Sequence, residues 1–206
     1  MKGDDGLSKQ EDKQAVEETI LNLKVIPFRG IELPEVLRAQ IIEANQATFA
    51  WSAAMSEADF ANQQAEYYVM VHERDELLAY VSLHHVLDEA TINTVYVKPA
   101  WRQLGLGLRL FNFVLAQLAA REILNLFLEV RAGNAPARAL YVAAGFEELV
   151  VRRGYYSKPA DDAVIMQKRL TSVAGGSAVD GASAADNENE KEEGTGGAAD
   201  ESDFSD

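Results

Sequence analysis

The chain contains no cysteine. Disulfide frameworks, thiol nucleophiles and thiolate metal sites are excluded together. The absence fits a reducing compartment, and the cytoplasm is the expected location. Histidine is scarce too. His72, His84 and His85 show no metal-ligand spacing, and the last two point to opposite faces of any strand that carries them. No metal site is expected. No apolar run approaches the roughly 20 residues of a membrane helix. The opening MKGDDGLSKQEDKQ lacks the apolar segment of a signal peptide, so no membrane association is expected. Basic residues are in deficit: 19 Lys and Arg face 33 Asp and Glu, a net charge of −14. Bulk electrostatics therefore disfavour direct nucleic-acid binding.

What is present is unevenly spread. Residues 1–20 hold three lysines against six acidic residues, and residues 171–206 one lysine against ten. The stretch between them carries only −2. Both ends hold few large apolar residues, and the last 36 are rich in Gly, Ala, Ser, Asp and Glu. They read as disordered acidic extensions, 1–20 and 171–206. Between them, 21–170 is long enough to bury one core.

Along that stretch the patterns alternate between strand and helix. Leu23–Phe28 reads as an opening strand. Leu33–Ala50 has helical spacing, and Ser56–Ala65 reads as a second helix capped at Ser56. Three strands follow, at Tyr67–His72, Leu77–Leu87 and Ile92–Val97, as an antiparallel meander. A helix over 106–121 leads into the apolar strand Ile123–Val130. Asn134-Ala-Pro136 opens another helix, closed by Gly145. Strands at Glu147–Arg153 and Ala163–Lys168 flank a loop, Gly154–Asp162. The sum is one mixed α/β domain.

Several residues within it could carry chemistry. Arg102-Gln103-Leu104-Gly105-Leu106-Gly107 joins a strand ending near Pro99 to an apolar helix. Two glycines there either make a tight connection or leave backbone N–H groups free for an anion. Glu129 is the one charge in an apolar strand. It is either paired with a cation such as Arg131, or a buried carboxylate tuned as a general base. Asn134 is an N-cap or a cofactor contact. Tyr141 is a core aromatic or a proton donor at a cleft.

VLDEATINTVYVKPAWRQLGLG and LEVRAGNAPARALYVAAGFEELVVRRGYY…DAVIM together resemble the ribosomal-protein-alanine N-acetyltransferases, the RimI type within the GNAT superfamily. FAWSAAMSEADF is similar, more loosely, to another segment of that family. The resemblance implies the GNAT fold, a mostly antiparallel sheet with two splayed parallel strands and flanking helices. It implies acetyl transfer from acetyl-CoA to the N-terminal alanine of a ribosomal protein. A relaxed N-terminal or lysine acetyltransferase and a non-catalytic acyl-CoA or partner-binding module are the alternatives. Glu129 would be the general base and Tyr141 the general acid. Val95, Tyr96 and Val97 would pair with the pantetheine arm. Arg102, Gln103, Leu104, Gly105, Leu106 and Gly107 would cradle the pyrophosphate, with Asn134 a further CoA contact. Tyr155 and Tyr156 would border the peptide groove. Leu104 and Leu108 stand where basic residues are common, with Arg102 and Arg109 as nearby cations. Gly133 replaces a commoner serine.

Overall fold

The computed structural model describes residue 20 and residues 23–72 and 75–171. Apart from Ile20, Leu23 and Thr171, the expected extensions and the helix expected over Ala15–Leu23 lie outside those residues. Seven strands form one sheet: β1 (Lys24–Arg29), β2 (Ala65–His72), β3 (Glu76–Val86), β4 (Glu89–Val97), β5 (Asn125–Arg131), β6 (Glu147–Ser157) and β7 (Ala160–Arg169). Their spatial order is β1-β2-β3-β4-β5-β7-β6. Every pairing is antiparallel except β4 with β5. Among the described residues, four helices with both ends in view cover it: α1 (Glu35–Phe49), α2 (Ala53–Phe60), α3 (Leu106–Ala119) and α4 (Ala135–Ala143).

Strand alternation sends residues to two cores. On one face, Leu106, Leu110, Phe111, Val114 and Leu118 of α3 pack with Ile92, Leu126, Leu128 and Val130. On the other, Leu37, Ile41 and Phe60 of α1 and α2 pack with Tyr67, Val69 and Tyr80. The second core holds polar groups, each with a partner. Tyr80 donates to the Asn45 side chain, which donates to Ser56 Oγ at 2.9 Å. Tyr67 donates to Asp59, whose other oxygen meets His84 Nε2 at 2.7 Å.

Two local readings are corrected. α2 starts at Ala53, because the Ser52 side chain accepts from Met55 N; Ser56 is buried as the partner of Asn45 instead. A serine inside a first turn resembles a cap until packing shows where its hydroxyl goes. The expected loop Gly154–Asp162 is mostly strand. β6 and β7 run on into a hairpin, with Tyr156 paired to Asp161 and Ser157 to Ala160. Its polar, glycine-containing sequence hid this: Gly154 is an irregularity within β6, at φ 63°. The expected closure of α4 is seen. Gly145 adopts φ 84°, and Phe146 N and Gly145 N return to Tyr141 O and Val142 O.

Candidate active site

The two parallel strands separate part-way along. β4 and β5 pair from Glu89–Asn125 to Ile92–Leu128 and no further. Beyond that point β4 stays with β3, and β5 with β7. The register along β3 shows a bulge there: Leu83 faces Ile92 and Ser82 faces Thr94, so Asn93 has no opposite number. A bulge bends and twists its strand, and this one lies at the fork. The β5-facing edge of Asn93–Val97 is thus an open sheet edge inside the molecule. Val95 and Val97 pack toward the α3 core, while Tyr96 stacks on Tyr80 at 5.6 Å on the opposite face.

The connection from β4 to α3 passes one turn, Pro99–Trp101, and then two residues at positive φ, Gln103 (62°) and Gly105 (78°). Gly105 is the N-cap of α3, and no side chain caps it. The N–H groups of Leu106, Gly107 and Leu108 have no acceptor within the helix, and the helix dipole adds positive charge there. The two glycines serve different ends. A Cβ on Gly105 would meet nothing, so its backbone angle is the constraint. A Cβ on Gly107 would lie 3.1 Å from Leu140 Cδ2 and 3.7 Å from Val97 Cγ2, so this glycine lets three elements converge. Arg102 Nε donates to Val97 O at 3.0 Å, tying the loop to the strand end. Arg109 points away, donating to Ile20 O and to Leu23 O at 3.3 Å. It is therefore turned from the loop rather than a second cation for it, and Leu104 stands 41% exposed.

Glu129 is the first β5 residue past the fork. The reading of it as a buried carboxylate is corrected: it is exposed, with 30% of its side chain accessible. Leu128 and Val130 face the α3 core, so Glu129 faces the other side, where α1 and α2 cover the β1–β3 end of the sheet. Arg131 is not its partner either. Tyr156 donates its hydroxyl to Glu129 Oε1 at 3.1 Å, and Arg152 Nη1 lies 3.5 Å from Oε2. Burial, then Glu129, pushes the Tyr156 hydroxyl up to about 12. Arg131 instead lies over the Tyr156 ring at 3.8 Å.

Tyr141 is on the opposite face, 8% exposed, edge-on to Phe111 at 5.6 Å. Burial pushes its hydroxyl up to about 12. Its neighbour Leu140 is the residue against Gly107, so α4 walls the same end of the fork. Asn134 caps α4, accepting from Ala137 N at 3.3 Å. Gly133 has a packing reason of its own: Asp161 Oδ2 accepts from its N–H at 3.2 Å, and a Cβ would stand 3.1 Å from that oxygen. Tyr155 is exposed and edge-on to Tyr156 at 5.1 Å. The fork thus has the glycine loop and Tyr141 on one face, and Glu129 with the tyrosine pair on the other.

Residues 36–146 match the model of the acetyltransferase (GNAT) family. The chain is a GNAT acetyltransferase. Members of this family use acetyl-CoA as the acetyl donor. It is 36% identical over 141 residues to the [ribosomal protein bS18]-alanine N-acetyltransferase of Escherichia coli K12, covering 66% of this chain and 93% of that one. The Bacillus subtilis protein named putative [ribosomal protein bS18]-alanine N-acetyltransferase is 28% identical over 138 residues, covering 67% and 91%. The crystal structure of the Escherichia coli ribosomal-protein-S18-alanine N-acetyltransferase superposes with a TM-score of 0.64 at 29% identity, covering 76% of this acetyltransferase and 99% of that chain. Arabidopsis thaliana NAA60, solved with a bisubstrate analogue, shares the fold with a TM-score of 0.63 at 15% identity, covering 72% and 99%.

Sequence reasoning missed two residues of this acetyltransferase's fork. Arg152 reaches Glu129 from a strand 23 residues on, and only the pattern Arg152-Arg153 before the tyrosine pair hinted at it. Asn93 forms the bulge; its one signal was a polar residue after Ile92 in an apolar alternation.

Proposed function

We propose that this acetyltransferase moves the acetyl group of acetyl-CoA to the α-amine of an N-terminal alanine on a small-subunit ribosomal protein. The observation that carries the reading is the fork: one carboxylate at its mouth on one face, the helix start and Tyr141 on the other. The likeness to the Escherichia coli enzyme over 93% of its length supplies the acceptor.

In this reading the CoA phosphates lie against the N–H groups of Leu106–Leu108, within the loop Arg102–Gly107. Asn134 at the start of α4 makes a further contact. The pantetheine arm runs along the open edge of Val95–Val97 and carries the thioester into the fork. Glu129 accepts a proton from the acceptor amine, directly or through a water. The neutral amine attacks the thioester carbonyl. Lys98 N donates to Leu78 O on β3. Successive N–H groups alternate sides along a strand, so that of Val97 is turned toward the fork, where it would meet the oxyanion. The C–S bond then breaks and the thiolate takes the Tyr141 proton, while the attacking nitrogen gives up its second proton, which returns through solvent to the Tyr141 oxygen as the neutral amide forms. Burial holds that hydroxyl up to about 12, so it carries its proton at neutral pH. Tyr155 borders the acceptor peptide.

The test is purified protein with acetyl-CoA and an alanine-starting peptide, following free thiol and peptide mass. Acetylation confined to the α-amine is expected. Acetylation of lysine in an N-terminally blocked peptide would favour a relaxed acetyltransferase. Tight CoA binding with no transfer would favour a binding module.

A further inference from the structure

Glu129 is held at both oxygens by β6, and β6 is held in turn by β5. Arg131 Nη1 donates to Pro159 O at 3.1 Å and Nη2 to Lys158 O at 3.4 Å, so one guanidinium grips the tip of the β6–β7 hairpin. The same guanidinium stacks on the Tyr156 ring at 3.8 Å, a desolvating, orienting contact for a tyrosine. Tyr156 then donates to Glu129 Oε1 at 3.1 Å. From the other side, Arg152 stands 3.5 Å from Oε2, itself stacked 5.7 Å over the Tyr155 ring. Arg131, Tyr156 and Glu129 form a closed path: β5 to the hairpin tip, back through Tyr156, to the carboxylate two residues from the start.

We propose that Arg131 and Tyr156 are positioning residues for Glu129, a clamp that makes the orientation of the base depend on the seating of the β6–β7 hairpin. This rests on Glu129 being the base, and it reassigns Tyr156 from peptide binding to the support of Glu129; Tyr155 keeps the exposed position toward the acceptor. The physical case is geometric. A carboxylate on an exposed strand has free χ rotation, and a base must present one oxygen at hydrogen-bond reach of the amine. A donor fixed on Oε1 and a cation near Oε2 together define the carboxylate plane. Tyr156 suits the task because its hydroxyl stays protonated at working pH. Arg131 suits it because a planar guanidinium can stack and donate twice at once, which a lysine cannot. The base of the hairpin is tied to the end of β5 by Ala132 N, which donates to Asp162 O at 2.9 Å, and by Gly133 N, which donates to Asp161 Oδ2 at 3.2 Å; Arg131 adds the contact that reaches both the turn and the Tyr156 ring.

The experiment is a double-mutant cycle on kcat and on KM for an alanine-starting peptide, with thermal midpoint and CoA affinity measured on every variant. Tyr156→Phe, Arg131→Ala and Arg131→Lys are each made in the wild-type and the Glu129→Gln background. In the wild type, Tyr156→Phe and Arg131→Ala should each lower kcat about tenfold, with peptide KM and CoA affinity near unchanged. Arg131→Lys should lie between wild type and Arg131→Ala. In the Glu129→Gln background neither Tyr156→Phe nor Arg131→Ala should lower kcat further, because there is no base left to orient. Losses that multiply in that background, or that fall on peptide KM, would overturn the clamp while leaving Glu129 as base. Wild-type kcat in Glu129→Gln alone would remove the base, and the clamp with it. Tyr156→Phe keeps the ring and the stacking, so it decides the matter even if Arg131→Ala does not fold.

Discussion

Glu129 shows how far a single residue can be read before its neighbours are known. Its sequence context, one acid in an apolar run, singled it out on the expectation that it was buried. Burial was the inferred cause of interest, and the structure finds it exposed at the mouth of the fork. Strand alternation could say that it faced away from Leu128 and Val130. It could not say that this face is left open by the helices, because that depends on where α1 and α2 end. Its partners were illegible for a related reason: Arg152 and Tyr156 come from β6, and their reach is set by the β6–β7 register. Two expectations belong at this scale. Glu129→Gln should lower kcat by about 10²-fold at neutral pH, with a smaller loss at high pH where the acceptor amine is already neutral. A pH–rate profile checks it, and a loss independent of pH would remove the base role. Tyr141→Phe should slow the chemical step while CoA affinity, read by calorimetry, stays near the wild-type value. Unchanged turnover would return Tyr141 to the core, where Phe111 already accounts for its ring.

The elements were legible where period and punctuation agreed. α3 and the apolar strand after it declared themselves by spacing, and α4 by Asn134, Pro136 and Gly145. The hairpin of β6 and β7 did not, because Gly154 and a run of polar residues carry loop chemistry through what is strand. The loop before α3 was recognised by its glycines, yet sequence could not tell that Gly105 is needed for its angle and Gly107 for its lack of a side chain. That difference is testable. Gly107→Val should press on Leu140 and Val97, raising the Kd for CoA at least tenfold and destabilising the fold by about 1–3 kcal/mol, the usual range for overpacking. Calorimetry and denaturant unfolding would measure the two. Likewise Asn45, a polar residue on the buried side of α1, joins Tyr80 to Ser56. Asn45→Leu should cost about 2–3 kcal/mol, because two buried hydroxyls lose their partner. Equal denaturant midpoints for variant and wild type would show that those hydroxyls find others.

At the scale of the molecule, the tyrosines set an alkaline limit. Tyr67, Tyr68, Tyr80 and Tyr141 are buried, and burial is the first cause raising each above the ordinary value of 10. A group whose value is raised by folding favours the native state only while it keeps its proton. Its contribution is whole below about pH 10 and drains away as pH climbs through the raised values. Chemical-denaturation midpoints should therefore hold steady to about pH 10 and then fall. A flat profile to pH 11.5 would contradict the burial of these hydroxyls. The family match ends at residue 146, and among the described residues the last strand ends at Arg169. Removing residues 171–206 should therefore leave thermal midpoint and peptide turnover within error of the full chain.

The fork also divides the sheet's loyalties. Four facing pairs are all that hold β4 to β5, against seven between β5 and β7. The β1–β4 half and the β5–β7–β6 half meet along a seam that is half unstitched. A thioester arm laid along Val95–Val97 would supply the absent rungs. At a hundredfold excess over its Kd, such a ligand adds about 2.7 kcal/mol to the stability of the folded state. Hydrogen exchange at the seam should report that gain first, so that the slowing of β4 and β5 amides becomes a direct readout of occupancy.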